Sequence, residues 1–507
     1  MRRGSPGAAP RIAGGMGRTP TLTVARVAVA GSLVFLVAAW VAMPWVGGDT
    51  PFVLDGSNAL LTCLSNHDYN ACGFTGRLNF WGLMTPIGYW PLLQHIPDVI
   101  SIELGANSHP ARTRILALLS IVGFVGAVAL AWVVLTRVRQ RAWFWGFLFI
   151  ALSSPLVTYA RTTVGEVLAS GLLVGLVAAT ALQATPWLIG LAAFGASITK
   201  ETSYPFVIAL GLLGLVLARR RTGRPIRAHV LSGLAGTALA FALASLLNIV
   251  RFGSIWNTNY LDSHFRTPGI GRTLEYVAAL LVSPSGGIFV FWLSACALIG
   301  AACLLPFLSR PESRLDVRPA LLLLAICLAL LVGLASWWTP FGWTSYGPRL
   351  SLPWILPLVL ISLVAYGEAL APLAARLLAP TWRLLAIFIV VFALTLPHIG
   401  EMWRPNSTAG FFGQVQGYQS PWNGGVAQWH SAQHRLLWLE KPQPLYALHG
   451  LRTTGGAFTA LAVALGLFGS LVLFRIGLAE ERTVRTAREF ARSEEQVAKR
   501  RTAQAAH

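Results

Sequence analysis

Charge is what this sequence has least of: only 11% of its 507 residues are Asp, Glu, Lys or Arg, and lysine is confined to Lys200, Lys441 and Lys499. With 55% hydrophobic residues beside so few ionisable ones, an ordinary water-soluble domain is excluded, because its surface could not be covered. Cysteine is scarce as well, five in all, which excludes a disulfide-rich secreted scaffold. The sequence has no Walker loop, no dinucleotide fingerprint and no HExxH signature, so cytoplasmic nucleotide chemistry and zinc hydrolysis lack their usual residues. Nor is there a clear repeat or a pair of inverted halves, features on which many secondary transporters are built.

What the chain has is oil. Apolar runs recur from the N-terminal region almost to the C-terminus, each long enough as a helix to cross a hydrocarbon core of about 30 Å. They predict an all-α, polytopic transmembrane helical bundle with twelve crossings, eleven to thirteen being allowed, at about 22–46, 115–136, 142–160, 167–184, 187–200, 204–218, 228–250, 287–308, 319–338, 350–370, 384–400 and 456–476. The stretch 273–286 reads as a re-entrant or interfacial helix. The formal charge of +20 would suggest nucleic acid in a soluble protein. Here the arginines fall mostly in alternate connections and at the two termini, which is the asymmetry that orients membrane proteins, and no nucleic-acid partner is implied. Both termini are therefore expected in the cytoplasm.

Residues 1–20 are rich in Gly, Pro and Arg and are expected to be disordered. The transmembrane domain covers 21–476. Residues 477–507 carry Glu481, Arg485, Glu489 and Arg492 at helical spacing, as expected of a solvated cytoplasmic helix. Two long outer segments interrupt the spans. The first, 47–112, contains half-apolar pieces suited to helices lying on the membrane surface. The second, 401–455, carries Trp403, Trp422, Trp429 and Trp438, residues that favour the membrane interface. Cys63 and Cys72, in CLSNHDYNAC of the first outer segment, are candidates for a disulfide in an oxidising compartment, whereas Cys296, Cys303 and Cys327 sit inside spans as packing residues.

The few charges that remain gather at the outer ends of spans. Asp49 and Asp55 lie in WVGGDTPFVLDG, Arg161 and Glu166 in YARTTVGE, Lys200 in SITKETSYP, Arg251 in NIVRFGS and Arg349 in WTSYGPRLSLP. A carboxylate there can take a proton from an acceptor hydroxyl, and cations there can bind a phosphate leaving group in a low-dielectric setting. Taken singly, each is also the kind of residue that snorkels to the interface. Tyr346 can stack on a sugar or mark the membrane boundary.

In their order along the chain, GGDTPFVLDGSNAL, MTPIGYWPLLQHIPDVISIELG, TYARTTVGEVLASGLLVGL, FGASITKETSYPFVIALGLL, LLNIVRFGSIWNTNY, LLVSPSGGIFVF and WWTPFGWTSYGPRLSLPWILPL resemble segments of the GT-C superfamily of integral membrane glycosyltransferases. The similarity is greatest to bacterial relatives of the protein O-mannosyltransferases and of the lipid A aminoarabinose transferase, and it covers roughly residues 20–370. It implies a sugar donor carried on polyprenyl phosphate, a first-loop carboxylate as base, and displacement that inverts the anomeric carbon. The base role maps onto Asp49 and less securely onto Asp55. The substrate-binding role maps onto Arg161, Lys200 and Arg349, with Glu166, Arg251 and Tyr346 beside them. Many relatives have an Asp-Glu pair where this chain has Asp49 followed by Thr50. Branches of the superfamily differ in metal use, and no metal constellation stands out here. The implied partners are the bilayer, the lipid-linked donor and a cell-envelope glycan, lipid or protein acceptor, at the outer face of a bacterial cytoplasmic membrane. A reading from another class is a twelve-span transporter or lipid flippase, but such proteins place ionisable residues near mid-span, and these spans are almost free of charge.

Overall fold

The structure is a computed structural model. It describes residues 20–45, 92–106, 108–163, 165–199, 203–252, 254–256, 269–309, 315–337, 346–403 and 443–505, with isolated positions at 54, 57, 58, 61, 65, 267 and 341. The elements are helices throughout: α1 (Pro20–Ala42), α2 (Leu92–Glu103), α3 (His109–Arg137), α4 (Arg141–Leu152), α5 (Leu156–Tyr159), α6 (Glu166–Ala181), α7 (Pro186–Ile198), α8 (Tyr204–Thr222), α9 (Arg227–Phe252), α10 (Gly269–Val282), α11 (Ile288–Phe291), α12 (Leu293–Leu308), α13 (Arg318–Ala335), α14 (Leu352–Leu378), α15 (Thr381–Trp403), α16 (Gln443–Ala447) and α17 (Thr454–Ala505). A parallel bridge joins Trp45 to Thr162. A chain buried in lipid must satisfy its backbone within each segment, and a helical bundle does so.

Among the described residues, seven helices are long and apolar enough to cross a membrane unaided, and α4, α6, α7 and α12 are shorter apolar helices. With α8, whose last turn carries Arg219, Arg220 and Arg221, twelve helices run in alternation between two ends of the bundle. Contacts between helix termini define those ends. At the arginine-rich end, Glu481 accepts from the backbone N–H of Ala142 at 2.9 Å, Arg220 pairs with Asp316, Arg221 donates to the carbonyl of Ala181, and Arg475 donates to the carbonyl of Ala379. At the opposite end Trp40 donates to Val157, Thr267 to Ala335 and Trp403 to Thr459. The chain is thus a multi-pass membrane protein with an all-α fold.

Proline and glycine place several of the boundaries. Pro186 stands at the start of α7, where its missing N–H costs nothing, so the apolar stretch on either side of it divides into two antiparallel helices. Gly223, in the left-handed region at φ 70°, closes α8. The stretch expected to be re-entrant or interfacial forms α10, a helix of 14 residues, which lays Tyr276, Ala279 and Leu280 on Ala335 at the end of α13. One element differs from the sequence expectation: α17 runs unbroken for 52 residues, so the charged tail continues the last crossing as a single helix. Nothing in FRIGLAEERTVRTAREF breaks a helix, and the run lacks proline.

The centre of the bundle is α14, which is 89% buried along its apolar window and carries Leu352 to Val364 as a continuous buried run. A helix apolar on all sides belongs inside. Against it pack α6, α12 and α4, and α3 crosses α6 where Gly123 meets Gly171, backbone against backbone.

Candidate functional site

The short helix α5 and the loop that joins it to α6 are held from three sides. Trp40 on α1 donates to the carbonyl of Val157, Ser120 on α3 donates to the carbonyl of Thr162 at 2.7 Å, and the backbone N–H of Trp45 donates to the carbonyl of Arg161 at 3.0 Å. These bonds fold the loop into the bundle, so that Arg161 is 3% exposed. Its Nη1 donates to the carbonyl of Met43 at 3.0 Å, while Nε and Nη2 have no hydrogen-bond partner among the described residues. Burial pushes this guanidinium down to about 10, with the charge of Glu401 opposing the shift, so it is still a cation at neutral pH. A buried cation with two idle donors is costly unless an anion completes it.

Glu166 opens α6, where the helix N-terminus favours a negative charge. Its Oε1 accepts from Arg349 Nε at 3.1 Å, and both side chains are buried. Arg349 begins a 3-10 turn of Arg349–Ser351 that leads into α14. The bend before that turn is set by Gly347, whose φ of 63° lies in the left-handed region and where a Cβ would stand 2.7 Å from the Phe291 ring. Glycine is required there on both counts.

A second set of bonds fixes the bend. Tyr159 donates from its hydroxyl to the carbonyl of Tyr346 at 2.7 Å. The hydroxyl of Tyr346 meets His398 Nδ1 at 3.0 Å, and His398 Nε2 lies 2.8 Å from the carbonyl of Phe291. A carbonyl can only accept, so His398 carries its proton on Nε2 and takes the Tyr346 hydroxyl as donor at Nδ1. Burial raises Tyr346 well above the ordinary tyrosine value, so it remains a neutral donor. Glu401, one turn beyond His398 on α15, is 2% exposed, and its charge bears on Arg161, Tyr159 and Tyr346.

Four of the residues singled out by sequence, Arg161, Glu166, Tyr346 and Arg349, therefore come together at one end of the bundle. All four are inside the protein, which removes the snorkelling explanation for the charged three and the interface explanation for Tyr346. Asp49, Asp55, Cys63, Cys72 and Lys200 lie outside the described residues. Arg251 falls in the last turn of α9, and its side chain is likewise outside them. His398 and Glu401 were not singled out by sequence. The signal for Glu401 was present, since it is a charge at the end of an apolar span in PHIGEMW.

A neighbouring cluster flanks the site. Arg112, in the first turns of α3, makes a two-bond pair with Asp98 of α2, at 2.8 Å through Nε and 2.6 Å through Nη2, and also donates to Asn58 and to the carbonyl of Leu54. This clasps α2 and positions 54 and 58 onto α3. Among the described residues no three His, Cys, Asp or Glu side chains come together to hold a metal ion.

No protein-family profile matches this chain, and no curated protein matches it. Solved structures to which it is similar include ArnT from Cupriavidus metallidurans bound to undecaprenyl phosphate, at 16% identity and a TM-score of 0.48, over 88% of this chain and 77% of that one. The same protein in its apo state aligns at 16% identity and a TM-score of 0.43, over 89% of this chain and 77% of that one.

Proposed function

We propose that this chain is a glycosyltransferase of a bacterial cytoplasmic membrane, of GT-C type, which moves a sugar from a polyprenyl-phosphate donor to a cell-envelope glycan, lipid or protein acceptor on the outer side. The observation that carries this reading is Arg161, buried with two unsatisfied donors on the loop that leads into Glu166, the partner of Arg349. Such a cluster suits an anion brought out of water, and a lipid-linked phosphate enters from the bilayer at that depth. The order of motifs in the sequence supports the same assignment.

In this mechanism the acceptor hydroxyl gives its proton to Asp49, and its oxygen attacks the anomeric carbon as the bond to phosphate breaks. The electron pair leaves with the phosphate, whose growing charge Arg161 and Arg349 stabilise, and the configuration inverts. Glu166 holds Arg349 in place. Lys200 and Arg251 are assigned as further cations at the same rim, and Asp55 as the reserve candidate for the base. Chain length supports the role: Trp45 is bonded to Arg161, and the four residues from Trp45 to Asp49 span at most about 14 Å. On the other side of Asp49, Leu54 is bonded to Arg112. The arginine-rich end of the bundle is assigned to the cytoplasm together with both termini, so the site faces outward.

The test is transfer of label from polyprenyl-phosphate sugars in membranes containing the wild type, Asp49→Asn or Asp55→Asn. Loss of a general base costs roughly 100- to 10,000-fold, and that loss is expected for Asp49→Asn. Full transfer by both variants would remove the base assignment. Movement of labelled lipid across vesicles without any transfer would favour the flippase.

A further inference from the structure

The buried groups that the transfer mechanism leaves unused are concentrated on one turn of α15. His398 and Glu401 stand three residues apart on a helix, so they share a face, and that face is turned to the site. His398 is held by three hydrogen bonds from three other elements. Its Nδ1 receives the Tyr346 hydroxyl, its Nε2 donates to Phe291, and its own carbonyl accepts from Thr158. Through Tyr346 it sits three residues from Arg349, across a bend that has no helix to stiffen it. Glu401, buried one turn further along the same helix, is near enough for its charge to bear on the other arginine, Arg161, itself buried. Arg161 and Arg349 are thus each accompanied by a buried carboxylate, Glu401 for the first and Glu166 for the second, and the four charges cancel.

That balance has a consequence for an anionic ligand. A donor phosphodiester carries one negative charge, and the carrier phosphate it leaves behind carries up to two. Two uncompensated buried arginines would hold the spent carrier more tightly than the donor and slow its exit.

We propose that the last turn of α15 positions and tempers both arginines: His398, through Tyr346, fixes the bend that carries Arg349, and Glu401 weakens the grip of Arg161 so that the spent carrier phosphate can leave. His398, Tyr346 and Glu401 act here as positioning residues. The inference rests on the polyprenyl-phosphate reading of the site.

The two halves of the turn act in opposite directions, which gives the test its discrimination. Purified full-length protein in detergent is titrated with a labelled short-chain polyprenyl phosphate, and donor KM and kcat are measured in the transfer assay. Glu401→Gln removes a negative charge while keeping the shape. It is expected to tighten carrier binding roughly tenfold and to lower kcat through slow release. Tyr346→Phe keeps the ring but removes the donor to His398, and is expected to weaken binding roughly fivefold and to raise donor KM. Thr158→Val, which loosens His398 from its other side, shifts binding the same way by less, and replaces Tyr346→Phe if that variant does not fold. A merely structural turn would weaken binding in every variant, and that result, or no change in any, overturns the inference while leaving the transferase reading in place. Absence of saturable binding by the wild type overturns both.

Discussion

Arg349 and Arg161, both buried, differ in their partners. Arg349 spends its Nε on Glu166, whereas Arg161 spends one Nη on a backbone carbonyl and keeps two donors idle. Arg349→Lys preserves the charge but has no Nε and no planar fork, so it loses the bond to Glu166. A fall of about tenfold or more in kcat/KM for the donor is expected, measured in the same transfer assay. Glu166→Gln, which can still accept that bond, should cost less. The charged members of this group were legible in the sequence because a charge at the end of an apolar run is rare enough to stand out. Tyr346 was legible as a candidate but not in its role. An aromatic beside a span reads equally as a boundary marker, and only the chain path through α5, α11 and α15 shows that its hydroxyl is committed to His398. His398 itself was hidden because LTLPHIGEMW reads as the tail of one continuous span.

Among the elements, the crossing of α3 and α6 sets the depth of the site. A Cβ on Gly171 would stand 2.4 Å from the carbonyl oxygen of Gly123, and backbone cannot give way as a flexible side chain can. Gly171→Val should therefore push the two helices apart, lower the melting temperature in detergent by several degrees and reduce transfer. The loop of Arg161 hangs from Ser120 on one of these helices, and Glu166 opens the other. Small residues within an apolar run give no sign of which neighbour they approach, so this contact could not be read from sequence. The helices themselves could, because α3, α13, α15 and α17 are apolar runs of spanning length. The continuity of α17 was missed because a change of composition from apolar to charged looks like a boundary, yet it interrupts no helix.

At the scale of the whole molecule, the alternation of twelve helices makes a prediction about sidedness. In a background with Cys63 and Cys72 replaced by serine, a membrane-impermeant thiol reagent added to cells with a permeabilised outer envelope should label Leu104→Cys and spare Arg224→Cys. Leu104 and Arg224 are exposed at opposite ends of the bundle, and the reverse pattern would turn the site toward the cytoplasm. The helix count and the two ends were legible from hydropathy and arginine placement. The pairing of Glu166 with Arg349 was not, because 183 positions separate them (349 − 166) and only the packing of α6 against α14 brings them together.

The bond from Ser120 to Thr162 joins the site to α3 eleven residues after that helix begins at His109 (120 − 109), so roughly 17 Å of α3 rises beyond it. With α2 clasped to that projecting stretch, the cluster lies at the foot of a parapet. On the transferase reading proposed above, an acceptor approaching from this flank has to reach down past a helical wall, which a hydroxyl on a slender stalk can do and a broad, rigid surface cannot.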